Sequence, residues 1–145
     1  MSSEEVTFHG SCHCGNLELT FETELKPAQL PVRACSCSFC RRHGVRTTCD
    51  PQGKVKITVH DSGLLHRYRF GMKTADFLIC KRCGIYVGAV IGAGDKAYAT
   101  VNINTFDDSE GITQEPISVT YEGETAEQRR VRRAANWTPV VGFVK

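Results

Sequence analysis

The chain has 145 residues, of which 41% are hydrophobic and 23% charged, and its formal net charge is +2. That length suits one domain and is short for two, and the composition is that of an ordinary globular protein rather than a disordered or membrane-embedded one. So small a charge gives no general attraction to nucleic acid or to an anionic membrane surface, and neither partner is expected.

The opening Met1-Ser2-Ser3-Glu4-Glu5 carries neither a basic region nor an apolar core. No secretory signal is read there, and the cytoplasm is the expected compartment. Short alternating segments follow. Leu17, Leu19 and Phe21 share one face of a strand, and Val55, Ile57 and Val59 repeat the pattern. His66, Tyr68 and Phe70 alternate with Arg67 and Arg69, and residues 77–79, 85–90, 97–103 and 117–121 extend the series. Gly53, Gly63, Gly71, Gly94 and Asp107-Asp108 punctuate these runs at spacings typical of β structure. The longest apolar stretch, residues 85–93, is too short to span a bilayer and is broken by Gly88 and Gly92. One short helix is expected near the C-terminus. Thr125 caps it, Gln128 completes a capping box, and Arg129-Arg130-Val131-Arg132-Arg133 follows as a solvated helix face. A second turn of helix is expected after Cys40, through Arg41-Arg42-His43 to Gly44. The fold class is mainly β, as one domain spanning residues 1–145.

Seven of the eight cysteines fall into three clusters: Cys12-His13-Cys14-Gly15, Cys35-Ser36-Cys37-Ser38-Phe39-Cys40 and Cys80-Lys81-Arg82-Cys83-Gly84. Thiolates one or two residues apart can turn to a single ion, which is the ligand arithmetic of zinc, and seven are too many for one tetrahedral ion. In a reducing compartment such clusters point to metal or thiol chemistry rather than to disulfides. The outer two clusters each end in Cys-Gly. Glycine there accepts the left-handed conformation of a tight turn around a metal, and it leaves backbone N–H groups free to face the sulfurs. Cys12, Cys14, Cys80 and Cys83 would close a four-thiolate site with no open position, which is a structural role.

The middle cluster has three cysteines and no following glycine. Three ligands and a vacancy suit a catalytic zinc. His43 or Cys49 could instead close the site, or the thiols of Cys35, Cys37 and Cys40 could form a metal-free redox centre. Spacing alone leaves these readings open. Lone Cys49 reads as a small core residue, and His9, His13, His60 and His66 read as surface or satisfied core histidines. Arg33, Arg41, Arg42 and Arg46 flank the middle cluster and would favour an anionic ligand, such as a thiol carrying carboxylates.

In these motifs, Gly10-Ser11-Cys12-His13-Cys14-Gly15, Cys35-Ser36-Cys37-Ser38-Phe39-Cys40-Arg41 and Cys80-Lys81-Arg82-Cys83-Gly84, the chain resembles the glutathione-dependent formaldehyde-activating enzyme family. Centromere protein V belongs to the same class. The resemblance covers about residues 7–103, a zinc core, and leaves 111–145 as a C-terminal extension. It implies two zinc ions per chain, a structural one on Cys12, Cys14, Cys80 and Cys83 and a catalytic one on Cys35, Cys37 and Cys40. It also implies a zinc-containing β-sheet domain similar to the B-type methionine sulfoxide reductases. The implied activity is that of a carbon–sulfur lyase in aldehyde detoxification, forming or cleaving a thiol–aldehyde adduct such as S-(hydroxymethyl)glutathione. Its partners would be a small-molecule thiol, with glutathione as co-substrate, and an aldehyde such as formaldehyde. Gly44-Val45-Arg46-Thr47-Thr48-Cys49 is more polar and basic than the corresponding run in family members. The alternative is a non-catalytic zinc module whose basic helix contacts a protein or nucleic acid.

Overall fold

Alternation of apolar and polar residues lets a strand bury one face, and strands of this kind must share that face to form a core. The computed structural model describes residues 5–121 and 123–144 and assembles their strands into one mixed, eleven-stranded sheet. Strands β1 (Val6–Ser11), β2 (Leu17–Thr23) and β5 (Lys54–Val59) run antiparallel in that order. Their buried face carries Phe8, Leu17, Leu19, Phe21, Val55, Ile57 and Val59. Phe106 stacks on Phe8 at 5.0 Å between ring centroids and lies 6.2 Å from Phe21.

A second group holds β3 (Arg33–Cys35), β4 (Thr47–Thr48), β6 (Leu65–Tyr68), β7 (Asp76–Cys80), β8 (Tyr86–Ala93), β9 (Lys96–Asn102) and β10 (Ile117–Val119). Antiparallel pairing runs from β6 through β7 and β8 to β9; β4 joins the far edge of β9, β3 joins β4, and β10 lies parallel to β3. Strand β11 (Thr138–Val144) links the two groups. Thr138 and Pro139 pair with β9, the register shifts between Val140 and Gly142, and the strand continues parallel to β5. A bulge of this kind bends a strand and re-aims it. Residues 138–144, part of the segment read from sequence as an extension, thus lie in the interior of the sheet between β5 and β9.

A buried polar chain secures this junction. Thr23 Oγ1 donates to Asp50 Oδ2 at 2.6 Å, and the Asp50 N–H donates to Thr138 Oγ1 at 2.8 Å. Two α-helices complete the fold of the described residues. Helix α1 (Ser38–His43) starts earlier than its sequence suggests, because the Cys37 sulfur caps it by accepting from the Cys40 N–H at 3.4 Å. Helix α2 (Ala126–Asn136) begins at the expected capping box of Thr125 and Gln128. Its C-terminal end packs Ala134 and Trp137 against Cys49, Ala75, Ala89 and Ile91. No helix among the described residues is long and apolar enough to cross a membrane.

Asp76, at the start of β7, accepts from Arg67 Nη1 at 3.2 Å and from Arg69 Nε. Burial pushes its carboxyl up, but the bonds from Arg69 and Arg67 outweigh burial and hold it below the usual carboxylate value. A depressed folded pKa contributes stability above the unfolded value of about 4, lost as pH falls through the folded value. Asp76→Asn is expected to lower Tm by roughly 2–4 °C at neutral pH. The gap from wild type should close as pH drops below about 4. Thermal melts across this range check it, and a gap independent of pH would contradict the ion pair.

Candidate functional site

The sheet brings two turns together, one after β1 and one between β7 and β8. Cys12 and Cys14 occupy the first, and Cys80 and Cys83 belong to the second. Their four sulfurs lie within 4.8 Å of one another, with Cys12 to Cys14 at 3.7 Å and Cys14 to Cys80 at 3.5 Å. All eight cysteines are free thiols. A zinc–sulfur bond of about 2.3 Å gives a tetrahedron with sulfur–sulfur edges of about 3.8 Å, so this set has the size of a four-thiolate zinc site.

The Cys-Gly grammar explains the turns. Gly15 has φ 84° and Gly84 φ 81°, a region that residues with a Cβ enter at a cost. The chain can then turn its N–H groups inward. The Leu17 N–H donates to Cys12 Sγ at 3.3 Å, and Arg82 Nε donates to Cys14 Sγ at 3.4 Å. Arg82, with help from the Asn16 N–H, lowers the Cys14 thiol to about 6, whereas burial raises Cys12 to about 11. Burial also pushes Cys83 up, but the N–H groups of Cys14 and Ile85 bring it below its ordinary value. Arg82 had no signal beyond its place between two cysteines.

The middle trio forms a separate group. Cys35 ends β3, Cys37 caps α1 and Cys40 sits in its first turn; the three sulfurs lie within 4.8 Å of one another. Bonds from Cys35 and Cys40 hold Cys37 down at about 2, while the Cys37 sulfur pushes Cys35 up and the sulfurs of Cys35 and Cys37 push Cys40 up. Neither His43 nor Cys49 joins them among the described residues. The His43 ring packs on Phe39 at 4.5 Å, and Cys49 Sγ accepts from Arg33 Nη1 at 3.3 Å. Cys49 is buried, and His9, His13, His60 and His66 are exposed, as their sequence context suggests.

The trio opens onto a cleft of about 680 Å³. Of the four arginines flanking it in sequence, Arg33 and Arg41 line the cleft. Arg42 instead bonds the Ser38 carbonyl within α1, and Arg46 bonds Asn104 Oδ1. Aromatic side chains of Phe70, Phe77 and Tyr86 form another part of the wall. The remaining charge comes from α2, through Arg129, Arg132 and Arg133. This differs from the expected solvated face. Positions 129, 132 and 133 share one side of a helix, and Val131, the large apolar residue of that segment, is 60% exposed. With Val131 facing water, the opposite side of the helix, which carries the arginines, is the one turned inward.

A family profile described as glutathione-dependent formaldehyde-activating enzyme matches residues 7–123. The chain belongs to this family. Membership places it among formaldehyde-activating enzymes that use glutathione, and the match runs past residue 103 to take in β10. Helix α2 and β11 lie beyond it. A crystal structure of a Rhodobacter sphaeroides protein is similar at 27% identity, covering 77% of this chain and 99% of that one, with a TM-score of 0.52. None of the curated proteins matches the chain.

Gly84→Ala tests the turn geometry on which the four-sulfur set depends. Placing a Cβ at φ 81° is expected to cost about 1–2 kcal/mol. Gly92→Ala, where a Cβ meets nothing within 4 Å, should leave the midpoint almost unchanged. Denaturant titrations of both variants decide the matter, and equal midpoints would contradict a left-handed turn at Gly84.

Proposed function

We propose that this protein is a zinc-dependent carbon–sulfur lyase-type enzyme that forms or cleaves S-(hydroxymethyl)glutathione, with one structural and one catalytic zinc. The observation that carries the reading is the cluster of Cys35, Cys37 and Cys40. It has no fourth cysteine or histidine donor among the described residues, and it faces a cleft lined by arginines. Cys12, Cys14, Cys80 and Cys83 would hold the structural ion in a closed set, whereas the trio would leave one position for a ligand. Zinc held there would supply Lewis acidity and a lowered thiol pKa.

The chain's own residues do the rest. Arg33 and Arg41 stand beside the trio in the cleft, where guanidinium groups can fork onto the carboxylates of a thiol such as glutathione. Phe77 and Tyr86 give the cleft an apolar wall, and Phe39 packs edge-on to both at 4.9 and 5.0 Å. That wall excludes water and narrows the space in which aldehyde and thiol meet. Holding two reactants in contact replaces a bimolecular encounter with an effectively unimolecular step. In the forward direction the sulfur bonds the carbonyl carbon, and the thiol proton ends on the former carbonyl oxygen. The reverse reaction breaks the same bond and returns the proton to sulfur. A single domain over residues 1–145, a cytoplasmic setting and a fold like that of B-type methionine sulfoxide reductases belong to the same proposal. The inward-turned arginines of α2 do not favour the alternative of a phosphate-contacting basic helix.

The assay is adduct formation from glutathione and formaldehyde, followed by NMR against the uncatalysed background. Wild type should exceed that background and carry two zinc ions per chain. Cys37→Ala should fall to background, retain its fold and carry one, whereas Cys80→Ala should fail to fold. A wild-type rate equal to background would overturn the proposal.

A further inference from the structure

The arginines of α2 differ in what holds them. Arg130 is exposed and pairs with Glu127 at 3.6 Å. Arg132 is fully engaged: its Nε and Nη2 reach the two Glu124 oxygens at 2.9 and 3.1 Å, and its guanidinium lies 3.5 Å from the Tyr121 ring centroid. Arg129 Nη2 donates to the Tyr121 carbonyl at 3.0 Å, and its Nε stands 3.8 Å from Glu124 Oε1 in an ion pair.

Arg133 is the exception. It is only 7% exposed, yet it forms no ion pair with any carboxylate among the described residues. Its Nη1 donates to Thr74 Oγ1 at 2.7 Å, its guanidinium sits 5.0 Å from the Trp137 ring centroid, and its buried Nε has no partner. A guanidinium withdrawn from water without a counter-ion is strongly disfavoured, so buried charges are ordinarily paired. The cleft does not provide the pairing. Its described lining contains five arginines and no aspartate or glutamate. Burial, then the neighbouring charges of Arg132 and Arg129, brings Arg133 down to about 10, which still leaves it charged at neutral pH. Arg133 and the cysteine trio line the same cleft, with Tyr86 in its wall, so the two ends belong to one site.

We infer that Arg133 is the anchor for a carboxylate of the thiol substrate, oriented by Thr74 and Trp137 and flanked by Arg129. This rests on reading the cleft as the thiol site. It adds a specificity-determining residue from a helix outside the family-matched residues 7–123. A carboxylate supplies both the missing counter-charge and the two acceptor oxygens that suit a guanidinium fork. Arg132 cannot serve equally, because Glu124 already occupies its fork.

The probe is S-methylglutathione, which keeps both carboxylates but has no free thiol, so its binding is independent of the adduct chemistry. Calorimetric titration of the zinc-loaded full chain compares it with its dimethyl ester. Wild type should bind the diacid roughly 10–100-fold more tightly than the diester. Arg133→Gln should remove most of that preference, while Arg130→Gln should retain it. A merely structural Arg133 would lower the Tm of the Gln variant and leave the preference intact, which overturns the inference. Where Arg133→Gln does not fold, Arg133→Lys keeps the charge without the fork and should lose several-fold in affinity for the diacid. Wild-type affinity in that variant, or equal wild-type affinities for diacid and diester, would overturn it as well. A protein that shows the diacid preference but no adduct formation would sink the proposed reaction and leave the anchor standing.

Discussion

Everything else in this molecule depends on the convergence of four sulfurs from two turns far apart in the chain. Cys14 and Cys80 are separated by 66 positions in the chain, yet their sulfurs stand 3.5 Å apart. Four thiols so close, with burial and Arg82 pulling their protonation in opposite directions, form a donor set made for a divalent ion. Zinc in such a set contributes about 10–16 kcal/mol of apparent binding free energy, comparable with the whole net stability of a typical domain of 5–15 kcal/mol. With zinc in place, the hairpin of β1 and β2 would be tied to that of β7 and β8, and the sheet between them would be fixed.

A frame fixed in that way would let the second cysteine group stay incomplete. Cys35, Cys37 and Cys40 come from one strand end and one short helix, so local chain geometry gathers them without a fourth donor. The Cys37 sulfur also caps the helix, which couples the orientation of the cluster to the backbone. Around it the cleft divides by chemistry. Aromatic rings from β7 and β8 form an apolar wall, while β3, α1 and α2 supply positive charge. A substrate that is apolar at its reacting end and anionic elsewhere suits such a space.

The parts of this arrangement written in local patterns were legible in the sequence. Leu17, Leu19 and Phe21, or Val55, Ile57 and Val59, announce strands because one buried face demands that period. The two Cys-Gly turns announce their conformation because few other residues accept it. The capping box of Thr125 and Gln128 located the start of α2 for the same local reason. What escaped depends on partners distant in the chain. β1 offers Phe8 as its one large buried apolar side chain, and β11 carries Pro139 and a bulge that hide its alternation. The arginines of α2 look like a solvated run until Thr74 and Trp137 are brought against Arg133 by the tertiary fold. Arg42 and Arg46 show the converse: nearness to the cluster in sequence does not place a side chain in the cleft.

The central claim is the division of seven cysteines into a closed set of four and an open set of three. Zinc-edge X-ray absorption on the resting, metal-loaded protein reads that division directly. The expected result is an average of about 3.5 sulfurs per zinc, at about 2.3 Å, with a minor shell of lighter oxygen or nitrogen donors. A shell of four sulfurs for every zinc, with no lighter donor, would contradict it, because the middle site would then be closed.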